Sequence, residues 1–273
     1  MTFLLAQISD THVVAPGHDG ELYVDNNARL RLAVERLLAE TVTPGAVLLT
    51  GDLTDLGTYE EMAIVAELLA PLTMPVFVVP GNHDLRSSLR TAFGMPWAAD
   101  DNMSWVVDAG PITVLGLDTL AADQIDADGE VNHGGELDDT RAQWLDEALA
   151  ATAGRPTVIA MHHPPFTTGI GWMDQTGLDD RTRFADIVGA HPHVTRIFCG
   201  HLHRSITTTI AGVLCSTGLS TIHQVELNLA PDARPQVVCD PPGYQLHMFD
   251  GNCWVTHTRH FDTGRAVIDP GWA

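Results

Sequence analysis

Short apolar runs rich in β-branched residues alternate with amphipathic stretches through most of the chain, and this alternation restricts the fold more than any other feature. Phe3 to Ser9, Ala46 to Thr50, Val76 to Pro80, Thr157 to Met161 and Thr195 to Cys199 read as buried strands. Between them, Asn26 to Glu40 carries Leu30, Val34, Leu37 and Leu38 on one helical face. Glu60 to Leu69, a segment from Arg86, Thr140 to Ala151 and Arg183 to Gly189 read as further helices, and Trp105 to Val107 with Ile112 to Leu117 as a strand pair around Gly110-Pro111. Such alternation predicts an α/β layered domain. From Ser205 onward no helical period appears. Ile206 to Ile210, Ile222 to Leu229, Tyr244 to Phe249 and Trp254 to Phe261 predict antiparallel strands. The expected division is a layered unit over residues 1–204 and a β-rich part over 205–273, partly completing the core and partly serving as cap or oligomerisation segment.

Composition removes several function classes. The 273 residues are 45% hydrophobic, enough for one large core. The formal net charge is -21, and all 14 basic residues are Arg. Without lysine there is no Schiff-base chemistry and no P-loop lysine. An acidic surface repels polyanions, so neither a nucleic acid duplex nor a membrane is an expected partner. The opening Met1 to His12 stretch lacks a basic leader and runs straight into polar residues, so it reads as a strand, not a signal peptide. No run approaches the roughly 20 apolar residues of a membrane span, and a cytoplasmic protein is expected. Cys199, Cys215, Cys239 and Cys253 form no CxxC pair, which argues against a structural zinc knuckle. Buried reduced thiols are expected, with a Cys239–Cys253 bridge left open.

Polar clusters sit at the carboxyl ends of five predicted strands: Asp10-Thr11-His12, Gly51-Asp52, Gly81-Asn82-His83-Asp84, His162-His163 and Gly200-His201-Leu202-His203. In open α/β sheets, sites form where such ends meet. Asp10, His12, Asp52, Asn82, His162, His201 and His203 offer only oxygen and imidazole nitrogen, a donor set for manganese, iron, zinc or cobalt. Seven donors exceed the needs of one ion and suffice for two if a carboxylate bridges. On an extended chain the i, i+2 spacing of Asp10 with His12 and of His201 with His203 would aim each pair at one pocket, and alternation would turn His163 away from it. The glycines before Asp52, Asn82 and His201 are expected to let the chain turn sharply. Each histidine alone is more often structural than a ligand. His18, His133, His191, His193, His247, His257 and His260 show no ligand spacing and read as surface or core residues, and Met161, Trp172 and Met173 as packing residues.

The order D-x-H, G-D, G-N-H-D, H-H, G-H-x-H across residues 10 to 203 resembles the calcineurin-like metallophosphoesterase superfamily. Ile8 to His12, Leu22-Tyr23, Met161 to Pro165, Thr195 to His201 and Thr221 to Val225 are similar to its branch of glycerophosphodiester and cyclic-nucleotide phosphodiesterases. The resemblance implies a four-layer αββα sandwich with a β-rich C-terminal cap or dimerisation segment, two divalent metal ions and an oligomeric assembly. It implies that Asp10, His12 and His203 hold one ion, that Asn82, His162 and His201 hold the other, and that Asp52 bridges them. It also makes His223, with His83 and Asn82, a substrate contact.

Such a centre activates water for attack on a small phosphodiester and remains positive enough to attract it, even in an acidic protein. No protein nucleophile is needed, and there is no G-x-S-x-G elbow. His83 is expected to contact the phosphate or protonate the leaving oxygen, oriented by Asp84, and Asp118 to support a ligand from behind. Phosphomonoesters and phosphonate monoesters are expected side substrates. The alternatives are a nuclease on the same scaffold, which the acidity disfavours, and a scaffold that has lost its chemistry, which the complete donor set disfavours.

Overall fold

The computed structural model describes residues 2–18, 24–99, 101–121 and 132–261. Leu22-Tyr23 and most of the loop from Ala121 to Asp138 lie outside the described residues. Two mixed sheets pack face to face. The first is ordered β13-β12-β1-β2-β3, with β1 Phe3–Ile8, β2 Ala46–Leu49, β3 Val76–Val78, β12 Gly243–Phe249 and β13 Trp254–His260. The second is ordered β4-β5-β6-β7-β9-β8, with β4 Trp105–Ala109, β5 Ile112–Gly116, β6 Thr157–Ala160, β7 Val194–Cys199, β8 Thr207–Ile210 and β9 Val213–Thr217. The runs β1-β2-β3 and β5-β6-β7 are parallel, so their carboxyl ends share an edge.

Three apolar layers hold this together. Helices α1 Asn26–Leu38 and α2 Tyr59–Leu69 lay Leu30, Val34, Met62 and Val65 against Ile8, Val47 and Leu49, and the short α3 Arg86–Ala92 adds Leu89. Helices α4 Asp139–Ala151 and α5 Arg181–Ala190 press Leu145, Leu149, Phe184 and Val188 onto Ile159 and Ile197. Between the sheets, Leu5, Leu48, Trp105, Val158, Phe198 and Phe249 form a third cluster. The order of layers is α-β-β-α. Helix starts are encoded locally: Asp25 and Asp138 accept from the backbone of the first turns, and Thr58 with Glu61 closes a capping box before α2.

The last quarter departs from the sequence reading in two places. Ile222 to Leu229 is not one strand; Gln224–Val225 (β10) pairs with Val237–Val238 (β11), with one further backbone bond from Glu226 to Gln236, in a small ladder apart from both sheets. The expected antiparallel set also misses β9, which lies parallel to β7 after a two-residue turn from β8 at Ala211-Gly212. Both turn residues have positive φ, 48° and 86°, as tight hairpins require. The C-terminal chain therefore enters both sheets, β9 beside β7 and β12 antiparallel to β1. Cys199 and Cys215 are buried free thiols 3.8 Å apart, while Cys239 and Cys253 are free and exposed, not buried. Among the described residues no helix is long and apolar enough to cross a membrane.

Candidate metal centre

The loops leaving β1, β2, β3, β6 and β7 meet at the shared edge of the two sheets. Backbone bonds zip the first two together: the amides of Asp10, Thr11, His12 and Val13 donate to Gly51, Asp52 and Leu53 carbonyls at 2.8–3.1 Å. Asp10, His12, Asp52, His201 and His203 have φ of 51°, 41°, 50°, 71° and 47°. Left-handed backbone at five non-glycine residues is costly, and it is retained where surrounding structure fixes it for a functional purpose. These angles replace the expected strand alternation as the cause of convergence: β1 stops at Ile8 and β7 at Cys199, and the donors sit on tight turns beyond. Gly51, with φ 88°, makes the expected sharp turn. Gly81 and Gly200 act through close approach instead. A Cβ on Gly81 would lie 2.2 Å from the Asp52 amide nitrogen, and one on Gly200 2.3 Å from the Thr50 carbonyl oxygen.

The imidazole orientations follow from what lies behind them. His162 Nδ1 contacts the Thr50 carbonyl at 2.8 Å and His203 Nδ1 the His223 carbonyl at 3.1 Å. His12 Nδ1 faces Asp55 Oδ1 at 3.3 Å. Carbonyl and carboxylate oxygens only accept, so all three rings carry hydrogen on Nδ1 and turn Nε2 inward. His201 is reversed: its Nε2 meets Thr176 Oγ1 at 3.0 Å and its Nδ1 faces Asn82 Oδ1 at 3.0 Å. That same Asn82 oxygen is 3.1 Å from His162 Nε2. Asp52 Oδ2 lies 3.3 Å from His162 Nε2 and 3.7 Å from His12 Nε2. His203 Nε2 is 3.7 Å from Asp10 Oδ1.

Two features fit this donor set to cations. His12 Nε2 and His203 Nε2 are 3.0 Å apart, and both rings already carry Nδ1 hydrogen, so two lone pairs meet unless a cation or proton lies between them. Asp10 Oδ2 is buried with no hydrogen-bond partner among the described residues, while Oδ1 accepts from the His201 amide at 2.9 Å. A buried carboxylate oxygen without a partner is expensive. Asp10, His12, Asp52 and His203 have donor atoms within 4.8 Å of one another, as a four-coordinate site requires.

Burial and close neighbours shift the protonation of these groups. Burial pushes Asp10 up to about 6, although His162 pulls it down. Burial opposes charge on Asp52 too, but His162 and His83 hold that carboxyl well below the usual range. Burial also acts against protonated His162, yet the Asp52 carboxylate wins and lifts it to about 9. His12 rises because Asp55, Asp52 and Asp10 together outweigh its burial. His201 and His203 are held well below their ordinary value by burial and by neighbouring imidazoles.

A cavity of about 380 Å³ opens over the cluster. Its lining includes His12, Asp52, Asn82, His83, His201, His203 and His223 together with the apolar Trp172, Met173, Val225 and Val237. Residues 3–205 match the family described as calcineurin-like phosphoesterase. The chain belongs to that family. Its relatives include an Arcobacter nitrofigilis protein named "probable glycerophosphodiester phosphodiesterase", 33% identical over 94% of this chain and 93% of its own length. A Rhodococcus erythropolis "probable cyclic nucleotide phosphodiesterase" is 36% identical over 82% of this chain and 73% of its own. Among solved structures, a dimetal phosphatase from Danio rerio shares the fold with a TM-score of 0.67 at 18% identity, covering 94% of this chain and 98% of the other.

All seven expected donors of this calcineurin-like chain gather at the centre, and His83 and His223 line its cavity. Three supporting assignments need correction. Asp84 does not orient His83. It is fully buried and accepts from the amides of Leu53, Thr54 and Gly81 and from Thr54 Oγ1, at 2.8–3.2 Å, and so clamps the Asp52 loop to the Asn82 loop. His83 is oriented by the Asp55 carbonyl, 2.8 Å from its Nδ1. Asp118 meets no ligand histidine; it pairs with Arg86 at 2.8 Å and accepts from the Met103 and Leu120 amides. His163 does not turn away. Its ring is 4.9 Å from those of His162 and His201, with its nitrogens engaged by Thr119 Oγ1 and the His133 carbonyl.

Several site residues escaped the sequence reading, among them Thr176 beside His201. His133 borders the cavity, with Nδ1 accepting from the Asn82 amide at 2.8 Å. Asp55 lies behind His12 and contacts His18 Nε2 at 3.5 Å. Trp172 and Met173, expected as packing, also face the cavity. The only local signal was position: Asp55 follows Asp52 by three residues, and His133 precedes a Gly134-Gly135 pair.

Proposed function

We propose that this chain hydrolyses small phosphodiesters, with Asp10, His12 and His203 holding one divalent metal ion, Asn82, His162 and His201 holding a second, and Asp52 shared between them. The observation that carries this reading is the position of Asp52: one carboxylate oxygen stands within 3.7 Å of inward-facing nitrogens from both groups. Manganese, iron, zinc and cobalt all suit the oxygen and imidazole donors. Bound there, two such ions supply positive charge for the phosphoryl oxygens and acidify a water.

The remaining work falls to the protein. Asn82 presents its oxygen to the centre and holds His133 through its amide nitrogen, placing that ring at the cavity rim. His83 contacts the Asp55 carbonyl through Nδ1, so Nε2 is the nitrogen that exchanges a proton with the leaving oxygen. The His83 amide also donates to Asp52 Oδ1 at 2.8 Å, tying the acid to the shared carboxylate. His223 fixes His203 through its carbonyl and borders the substrate cavity. The relatives named for glycerophosphodiesters and cyclic nucleotides support diesters as the substrate class. A net charge of -21 speaks against duplex nucleic acid.

Hydrolysis of bis(p-nitrophenyl) phosphate tests the reading. Chelation should abolish it, and manganese or cobalt should restore it. Activity that survives exhaustive chelation refutes the metal role.

A further inference from the structure

Beside the polar cluster the cavity lining carries Trp172, Met173, Val225 and Val237, and these are not generic packing. Trp172 and Met173 come from the loop after β6, and that loop is built to hold them. The Asp174 carboxylate accepts from the Thr168 amide and hydroxyl at 2.7 and 2.8 Å and from the Gly169 amide at 2.9 Å. Arg181 then grips the loop from below, donating to the Asp174 carbonyl at 2.9 Å and to Thr167 Oγ1 at 2.8 Å. On the adjoining side, Val225 and Val237 are direct partners across the β10–β11 ladder, and both border the cavity. Trp172, half-buried, packs against the small cluster containing Met173 and Val225.

Two polar side chains beside this wall already have partners. Thr176 Oγ1 meets His201 Nε2 at 3.0 Å and the Met173 carbonyl at 3.2 Å, and the Asp55 carboxylate faces His12 and His18. A polyol laid against Trp172, Val225 and Val237 would give up hydrogen bonds to water without replacing them. A flat ring meets such side chains with its apolar face and gains a stacking surface. The volume of about 380 Å³ leaves room for a ring system beyond the phosphate.

We infer that Trp172 is a specificity-determining residue that selects phosphoesters carrying a flat aromatic group, such as a nucleobase, over those carrying glycerol. This rests on the reading of the site as a phosphodiester centre, and it narrows the substrate class of that site.

The test compares binding of two products with the same phosphomonoester charge, adenosine 5′-monophosphate and glycerol 3-phosphate, by calorimetry on the manganese-reconstituted protein. The nucleotide should bind at least about tenfold more tightly. Trp172→Ala should weaken the nucleotide by about tenfold and leave glycerol 3-phosphate within about twofold, while Trp172→Phe, which keeps a ring, should retain most of the preference. Equal affinities in the wild-type protein overturn the inference. So does a Trp172→Ala protein that weakens both ligands alike, or a Trp172→Phe protein that behaves as alanine does. Diester hydrolysis with equal affinities would defeat only the selectivity. Selective binding without any hydrolysis would uphold it and count against the catalytic reading.

Discussion

His12 Nε2 and His203 Nε2 face each other at 3.0 Å, each ring held from behind by an oxygen on its Nδ1 side. Neither can rotate away without giving up that partner. A cation between them turns a repulsive contact into two bonds, so ion binding and folding are coupled. Ligand that binds only the folded chain stabilises it by about 2.7 kcal/mol at a hundred times its dissociation constant. For a chain of this size that corresponds to a rise of roughly 5 °C in Tm. Thermal denaturation with chelator and with added manganese should show this difference; identical curves would contradict it.

Asp55 should act on the metal centre through His12. Its carboxylate faces His12 Nδ1, while its backbone carbonyl, which no substitution removes, holds His83. Loss of such an outer carboxylate weakens metal affinity by about 10–100-fold. Asp55→Ala should therefore need more metal for half-maximal activity, with kcat near wild type once saturated, and Asp55→Asn, still an acceptor, should recover much of the loss. A metal titration of Asp55→Ala that overlays the wild-type curve would rule this out.

Asp84 is the mechanical counterpart. Three backbone amides and one hydroxyl converge on its buried carboxylate. Each donor left without an acceptor costs about 1–3 kcal/mol, partly relieved by entering water. Asp84→Ala should lower unfolding stability by about 3 kcal/mol in urea denaturation of the cation-free protein, and should loosen metal binding because the Asp52 and Asn82 loops separate. Stability within about 0.5 kcal/mol of wild type, as for an ordinary surface change, would show that the clamp is dispensable.

The parts of the site legible in the sequence are those whose signal is local. Asp10, Asp52, Asn82, His162 and His201 each follow a short apolar strand, and parallel strands bring their carboxyl ends to one edge. The residues that orient them are recruited across the chain and leave no such trace. His133 touches Asn82 from a distant loop, and Thr119 meets His163 across two strands. Adjacency misled for Asp84: in the tight turn after Gly81 its carboxylate folds back on the Gly81 amide, away from the neighbouring ring. The fold was hardest to read where pairing overrides pattern. Alternation in Ile222 to Leu229 looks like a strand, but ladder pairing there covers only the short run Gln224 to Glu226, against β11 and the Gln236 carbonyl before it. The Ala211-Gly212 turn carried a hairpin signal that the Thr-rich flanks obscured.

The most direct test counts metal. Elemental analysis of reconstituted, dialysed protein should find two divalent ions per chain in the wild type and at most one in Asp52→Ala, with nearly all diester hydrolysis lost. A wild-type chain that retains none, or an Asp52→Ala chain that keeps both ions and most of its kcat, would contradict the account.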